Sequence, residues 1–329
     1  TQAAEMRLMH TIHPDAEKVL RDIHADIWNL CNNHIMDAGQ DGLALTLQEA
    51  KKFGAKTIGV GMNMTEAARP LILDEAGGIG LFAVGYQRGC KPAGEDKGGC
   101  LSWSEMEIIR SIIQEIKTKC RWCVVVAHGG EEFTAIPSPY TRERYHAYLE
   151  MGADLVVCHH PHVPMNYETV GDKMIFYSLG NFIFDTDYQR AQFNTEKGIL
   201  LKLHFTEDSY SFEAFGLKIN RENEHIESAP LPKIFADIQE DDYNKLEPLA
   251  AKMFLAATKR QQLFLYPDKF KNATEAQWKD HFYEEKRSGR VPGEALDFQI
   301  IYPIAQEEAK GAWKTCKLED VKAYILEQM

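Results

Sequence analysis

No apolar run in this sequence approaches the length of a bilayer span. It does not open on a charged-then-apolar leader either, which bears on this sequence and not on any segment ahead of Thr1. There is no excess of positive charge. The 37 basic and 49 acidic residues leave a formal net charge of -12, which excludes a general nucleic-acid binder but leaves room for a local basic site. GxxxxGKS/T and GxSxG are both missing, and Gly59-Val60-Gly61 begins a dinucleotide fingerprint that Met64 breaks. Nucleotide- and serine-based enzymes therefore fit poorly. A disulfide framework is missing too. The seven cysteines are an odd number, and several lie inside apolar runs. Cys120-Arg121-Trp122-Cys123 has no second CxxC and falls at a helix-to-strand junction, where a structural role is expected. There is no internal repeat and no low-complexity tract.

What is present has the composition of an ordinary globular protein, 44% hydrophobic and 26% charged over 329 residues. That length suits one large domain or two. Up to about residue 205, strands and helices alternate. Helical spacing predicts helices over 14–24, 40–53, 103–119 (capped by Ser102) and 140–151. Apolar runs predict strands over 26–31, 56–60, 79–84, 122–127 and 154–158. Hairpins are expected at 167–177 and 198–217. Charged helical patterns follow at 241–260, 274–286 and 318–328. The expected organisation is a main α/β domain over residues 1–230 and a helical C-terminal extension over 231–329.

Chemistry gathers at the ends of three apolar strands. Cys158-His159-His160-Pro161-His162 follows Leu155-Val156-Val157 and places three imidazoles in four positions. Pro161 biases His160 toward an extended conformation, in which residues i and i+2 point the same way. His160 and His162 can then aim two nitrogens at one metal ion. The alternative is a polar loop of hydrogen-bonded histidines, which a lone histidine would favour and this cluster does not. His128-Gly129-Gly130, with Glu131 and Glu132, follows Val124-Val125-Val126. Its glycines allow close backbone approach to a ligand, or mark only a tight turn, and the two glutamates fit a solvated acidic pair equally well. Asn32-Asn33-His34 follows Ile27–Cys31, and by itself Asn33 could equally cap the next turn. Open α/β sheets bind ligands beyond the carboxyl ends of their strands, so the three groups can converge.

These segments together resemble the CapA-like capsule and poly-γ-glutamate synthesis proteins. Asn32-Asn33-His34-Ile35-Met36-Asp37-Ala38-Gly39 is similar to that family's NNHxxDxG motif. His128-Gly129-Gly130-Glu131-Glu132-Phe133, with Pro137, resembles HWGxEY…P. Gly152 to Val163 resembles GADLVIGHHPHV, and Tyr177-Ser178-Leu179-Gly180-Asn181-Phe182 matches YSLGNF. The agreement runs from about residue 14 to 218. Cys158 and Gly129 depart from the family's Gly and Trp. The resemblance implies a calcineurin-like metallophosphoesterase architecture, an α/β four-layer sandwich of two packed mixed sheets flanked by helices. It implies Asn33, His128, His160 and His162 as metal ligands, and His34 as the acid or electrostatic stabiliser. Asp37, Glu132, His159 and Asn181 would be supporting or substrate-side groups, with Asp37 and Glu132 nearest the catalytic chemistry. The family also has a Gly-Asp and an Asn-x-Glu motif ahead of its Asn-Asn-His segment, both carrying carboxylate ligands. Neither occurs in the residues before Asn32, so the acidic half of the site is expected to lie ahead of Thr1.

The implied cofactor is one or two divalent transition metals, with manganese, iron or zinc favoured over magnesium or calcium by the nitrogen donors. The implied substrate is a phosphoester or an anionic γ-glutamyl-type polymer, handled by a metal-dependent hydrolase or transferase. A non-catalytic polymer-binding or assembly protein with a partial site is the competing expectation. Nucleic acid is not an expected partner, whereas membrane-associated synthesis machinery is. The unpaired cysteines fit the cytoplasm. An anchored extracytoplasmic form fits a chain whose N-terminal segment precedes Thr1.

Overall fold

The computed structural model describes residues 10–247 except 87, 88 and 193, together with 250, 274, 276, 277 and 280. The chain divides into two compact units, each treated by itself below. One comprises Thr1–His128, Tyr148–Val157 and Phe205–Ser209, and the other Gly129–Ala147, Cys158–His204 and Tyr210–Met329.

The first unit begins with α1 (Ala16–Asp22) and β1 (Ile27–Asn29). Helix α2 (Gly39–Phe53) buries Leu43 and Ala50, with Leu47 packed against the same cluster, and ends at Gly54. The strand expected over 56–60 is two strands, β2 (Lys56–Ile58) and β3 (Val60–Gly61). Gly59, at φ +81°, breaks the run between them, so β2 pairs parallel with β1 while β3 pairs antiparallel with β6 (Gly99–Cys100). The short α3 (Met64–Ala67) lies between, capped by Asn63, whose side chain accepts from Glu66 N. The antiparallel pair β4 (Leu71–Leu73) and β5 (Ile79–Gly85) comes next. Helix α4 (Met106–Lys119) then crosses over to β7 (Trp122–His128), which pairs parallel with β5 along its whole length. Ile109, Ile112, Ile113 and Ile116 are the buried stripe of α4. Ser102 does not cap this helix, which starts later than expected. Its hydroxyl accepts from Ser104 N in the turn before it, and Glu105 occupies the cap position without a side-chain bond. Buried Asp154 ties the far end together, accepting from Cys123 N at 2.7 Å and pairing with Lys117 at 2.9 Å.

The second unit takes up α5 (Pro139–Met151) through Ala147 and β8 (Leu155–His159) from Cys158 onward. The hairpin of β9 (Tyr167–Val170) and β10 (Lys173–Phe176) is as expected. After α6 (Asp187–Arg190), strands β11 (Lys197–Phe205), β12 (Tyr210–Asn220) and β13 (His225–Ala229) form a three-stranded sheet in that order. Its first hairpin was expected. The third strand was not, because His225–Ala229 alternates without an apolar face and is a strand only through its antiparallel partner β12.

Parallel and antiparallel pairs with helices between them confirm a mixed α/β fold. Residues 240–247 are helical. The rest of the helices expected over 241–260, 274–286 and 318–328 falls almost wholly outside the described residues. No helix among the described residues is long and apolar enough to cross a membrane.

Candidate metal centre

In the second unit, β8 delivers the histidine cluster to a loop that is pinned on both sides. Gly129 N donates to His159 O (3.0 Å) and Phe133 N donates to Pro161 O (2.8 Å). The segment carrying Glu132 is thereby laced to the segment carrying His160 and His162. Nε2 of His160 lies 4.0 Å from Oε1 of Glu132. One donor atom from each of Glu132, His160 and His162 lies within 4.8 Å of the other two, the one such trio of metal-type donors among the described residues. Donors bound to a common ion at about 2.0–2.2 Å stand at most about 4.4 Å apart. A small side-chain adjustment therefore closes the group, and two imidazoles with one carboxylate suit zinc, manganese or iron.

The extended conformation expected for His160 is not the observed one. His160 has φ +107° and His162 has φ +63°. Both lie in the left-handed region, at a cost of the order of 1–3 kcal/mol each. The proline disfavours the right-handed helical region for the residue before it but does not impose a strand, and the flanking backbone bonds decide the rest. The rings still meet, with centroids 5.9 Å apart, by loop geometry rather than by strand alternation.

Asn181 sets the orientation of His162. Its Nδ2 donates to Gln189 Oε1 (3.1 Å) and to Thr195 O (2.9 Å). Those two bonds fix which end of the amide is oxygen, and Oδ1 faces His162 Nδ1 at 2.9 Å. His162 therefore donates from Nδ1, which leaves the Nε2 lone pair for an ion. Phe133 and Phe184 stack against the His162 ring with centroids 5.7 and 5.2 Å away. Gly180 makes the turn that places Asn181. It has φ +71°, and a Cβ there would stand 2.6 Å from Lys197 O. Loss of water around its ring pushes His159 down to about 4, so it is neutral. Burial pushes the Glu131 carboxyl up to about 7, opposed by hydrogen bonds from Ser138 and Thr141. The two adjacent glutamates are thus unlike, one set among Ser138 and Thr141 and the other facing His160.

In the first unit, Asn33 and His128 come together across 95 residues of sequence, with His128 Nε2 3.0 Å from Asn33 Oδ1. Asn33 Nδ2 donates to His34 Nε2 at 3.2 Å, and His34 Nδ1 donates to Asp37 Oδ2 at 2.8 Å. Asp37 thus orients His34 and holds the proton on Nδ1, leaving Nε2 to accept from Asn33. His10 joins this group as well. The structure puts its ring edge-on to His34 at 4.2 Å and its backbone N 3.1 Å from Asp37 Oδ2. No local motif marks His10, since only folding brings it to Asp37. Burial, then the neighbouring His34, lowers its pKa.

The order of donor segments along this chain is that of a known family, and its profile, "Bacterial capsule synthesis protein PGA_cap", matches residues 1–186. The chain belongs to the PGA_cap family. Its relatives include the "PGA biosynthesis protein CapA" of Bacillus subtilis, 32% identical over 182 residues, covering 54% of this chain and 47% of the relative. The "Capsule biosynthesis protein CapA" of Bacillus anthracis is 27% identical over 213 residues, covering 63% and 51%. A "Probable polyglutamine synthesis accessory protein" of Mycobacterium tuberculosis is 23% identical over 197 residues, covering 54% and 50%. The chain spans about half the length of these curated relatives. Every donor named above, and Asn181, falls within the PGA_cap match. Gln189 and Thr195, which orient Asn181, fall beyond it.

That arrangement makes Asn181 testable. In chelator-stripped protein titrated with zinc or manganese, Asn181→Ala is expected to weaken binding about 10–100-fold. Asn181→Asp still accepts from Nδ1–H but turns an oxygen toward Gln189 Oε1 and Thr195 O, so its affinity is expected to fall between those of Asn181→Ala and the wild type. Equal losses in the two variants would mean that Asn181 only fills space.

Proposed function

We propose that this PGA_cap protein is a metal-dependent hydrolase or transferase of capsule metabolism, acting on a phosphoester or on a γ-glutamyl-type polymer. The observation that carries the proposal is the group of Glu132, His160 and His162, held by two strained backbone positions and by an asparagine that presents one nitrogen. When bound there, a divalent metal supplies Lewis acidity toward a phosphoryl or carbonyl oxygen and lowers the pKa of water. The first unit, taken by itself, brings two groups of metal-ligand type together, Asn33 Oδ1 and His128 Nε2. His34, oriented by Asp37, would act as an acid only once Nε2 is protonated as well, when it can pass that proton to a leaving atom. Glu132 would serve as a ligand rather than as a catalytic carboxylate, which supplies acidic character from within this chain. The four-layer sandwich of two packed sheets belongs to the same proposal.

The mycobacterial relative is named as an accessory protein, which favours a second reading, in which the fold and donors serve polymer binding during assembly. One experiment separates the two. Protein expressed from its complete reading frame is analysed for bound metals, then assayed on a phosphodiester and on poly-γ-glutamate with and without a chelator. At least one equivalent of transition metal, with hydrolysis lost on chelation and restored by manganese or zinc, is the expected result. A metal-loaded protein that retains the polymer but cleaves neither substrate supports the accessory role. A metal-free protein whose hydrolysis ignores the chelator sinks both.

A further inference from the structure

Three thiols that the proposed chemistry does not use meet in the core of the first unit. Cys31 follows β1, Cys90 lies in the loop after β5, and Cys100 ends β6. All three are fully buried and share one apolar cluster with Leu43, Ile58, Val60 and Ala83. Each sulfur faces a backbone carbonyl. Cys31 Sγ is 3.9 Å from Leu101 O, Cys90 Sγ is 3.9 Å from His128 O, and Cys100 Sγ is 3.8 Å from Asn32 O. Two of these carbonyls belong to His128 and to the residue before Asn33, so the thiols back onto the Asn33–His128 pair. The segment after Cys90 runs beside Cys100, with Cys100 N donating to Lys91 O (2.8 Å) and Ala93 N to Cys100 O (2.9 Å). Gly85 leaves room for the group, since a Cβ there would stand 2.5 Å from Cys90 Sγ and 2.9 Å from Cys31 Sγ.

We propose that Cys90 and Cys100 form a thiol–disulfide switch, oxidised by a low-molecular-weight disulfide, that changes the support of His128. Cys100 acts first, as its thiolate attacks one sulfur of the external disulfide, forming a mixed disulfide and expelling one thiolate. Cys90 then gives up its proton and attacks the Cys100 sulfur, which forms the internal bond and expels the second thiolate. One external disulfide is reduced to two thiols, and two protein sulfurs are oxidised. A shared metal is not the better assignment, because the three thiols are not among the donor groups close enough to hold one. Closing the bond removes the Cys90 S–H from the His128 carbonyl, which keeps its bond from Tyr86 N at 3.0 Å. Full burial makes exchange wait on local opening of the loop.

The test uses the full chain, incubated with oxidised glutathione or with dithiothreitol. Remaining thiols are alkylated under denaturing conditions, and peptides are mapped without reduction. A Cys90–Cys100 linked pair in the oxidised sample only, with Cys31 alkylated, is expected. Cys90→Ser and Cys100→Ser should each abolish it. Alkylation of both cysteines, or a link from Cys100 to another cysteine, overturns the pairing. Proton–nitrogen spectra of the His128 ring should shift on oxidation of the wild type and not of Cys90→Ser, and an unmoved signal overturns the coupling to His128.

Discussion

Replacing His162 with alanine is expected, on the proposed function, to weaken metal binding by the second unit and to lower hydrolysis roughly 10²–10³-fold, the scale on which one electrostatic contact to a developing charge is lost. His162 is singled out because its donor atom is already committed. Asn181 Oδ1 takes the Nδ1 proton, which gives Nε2 the acceptor role and a fixed direction. The variant also takes the ring from between Phe133 and Phe184, so a loss of activity by itself could come from a loosened loop. Glu132→Gln is the companion variant. Its side chain is about a third exposed, its volume hardly changes, and it loses the negative charge a divalent ion attracts. Both variants should bind zinc or manganese more weakly in titration, with Glu132→Gln unfolding at the wild-type temperature. Wild-type affinity in both would remove the trio from the metal assignment.

Arg142→Ala is expected to destabilise the fold by about 3–5 kcal/mol, because it strands a buried carboxylate. Glu168 on β9 accepts from Arg142 twice, at 3.1 and 2.5 Å, and from the Tyr177 hydroxyl at 2.5 Å, with His146 Nε2 at 3.1 Å. Arg142 and His146 stand one helical turn apart on α5, so one helix face meets one strand carboxylate. Arg142 also pairs with Glu240 and lies over the Tyr243 ring, 4.3 Å from its centroid. Burial would push Glu168 up, but the close His146 ring and hydrogen bonds from Arg142 and Tyr177 together hold it at about 2. An unfolded glutamate titrates near 4.3, so the folded pKa is the depressed one. The stability this group contributes is complete above about pH 4.3 and is lost as pH falls toward 2. Urea unfolding at pH 7 and pH 3 should show the wild type losing stability in acid, and Arg142→Ala losing it already at pH 7. A change below about 1 kcal/mol at pH 7 would show that the pair is not a structural clamp.

Much of the candidate site is legible locally because its residues stand at strand ends. Apolar runs ending in Asn-Asn-His, His-Gly-Gly and His-His-Pro-His announce themselves, and the structure brings Asn33 to His128 and His160 to His162. Glu132 was harder to place. A pair of adjacent glutamates after two glycines looks solvated until backbone bonds from Gly129 and Phe133 lace that segment to His159 and Pro161. The same lacing explains why Pro161 misled. A local rule limits what His160 can do, but the tertiary hydrogen bonds choose among the remaining conformations. Cys31, Cys90 and Cys100 each look like a small core residue, and nothing in their spacing says that they face one another.

The sequence by itself determined the alternation of the longer strands and helices through residue 205, the residue types able to hold a metal, and family membership, because periodicity and short motifs are local properties of a chain. Only the tertiary structure decided which donors meet, which nitrogen of His162 carries the proton, that Glu132 joins the histidines, and that three thiols lie behind His128. Those are relations between segments far apart in sequence. They are set by backbone hydrogen bonds and packing in three dimensions, where no local pattern records them.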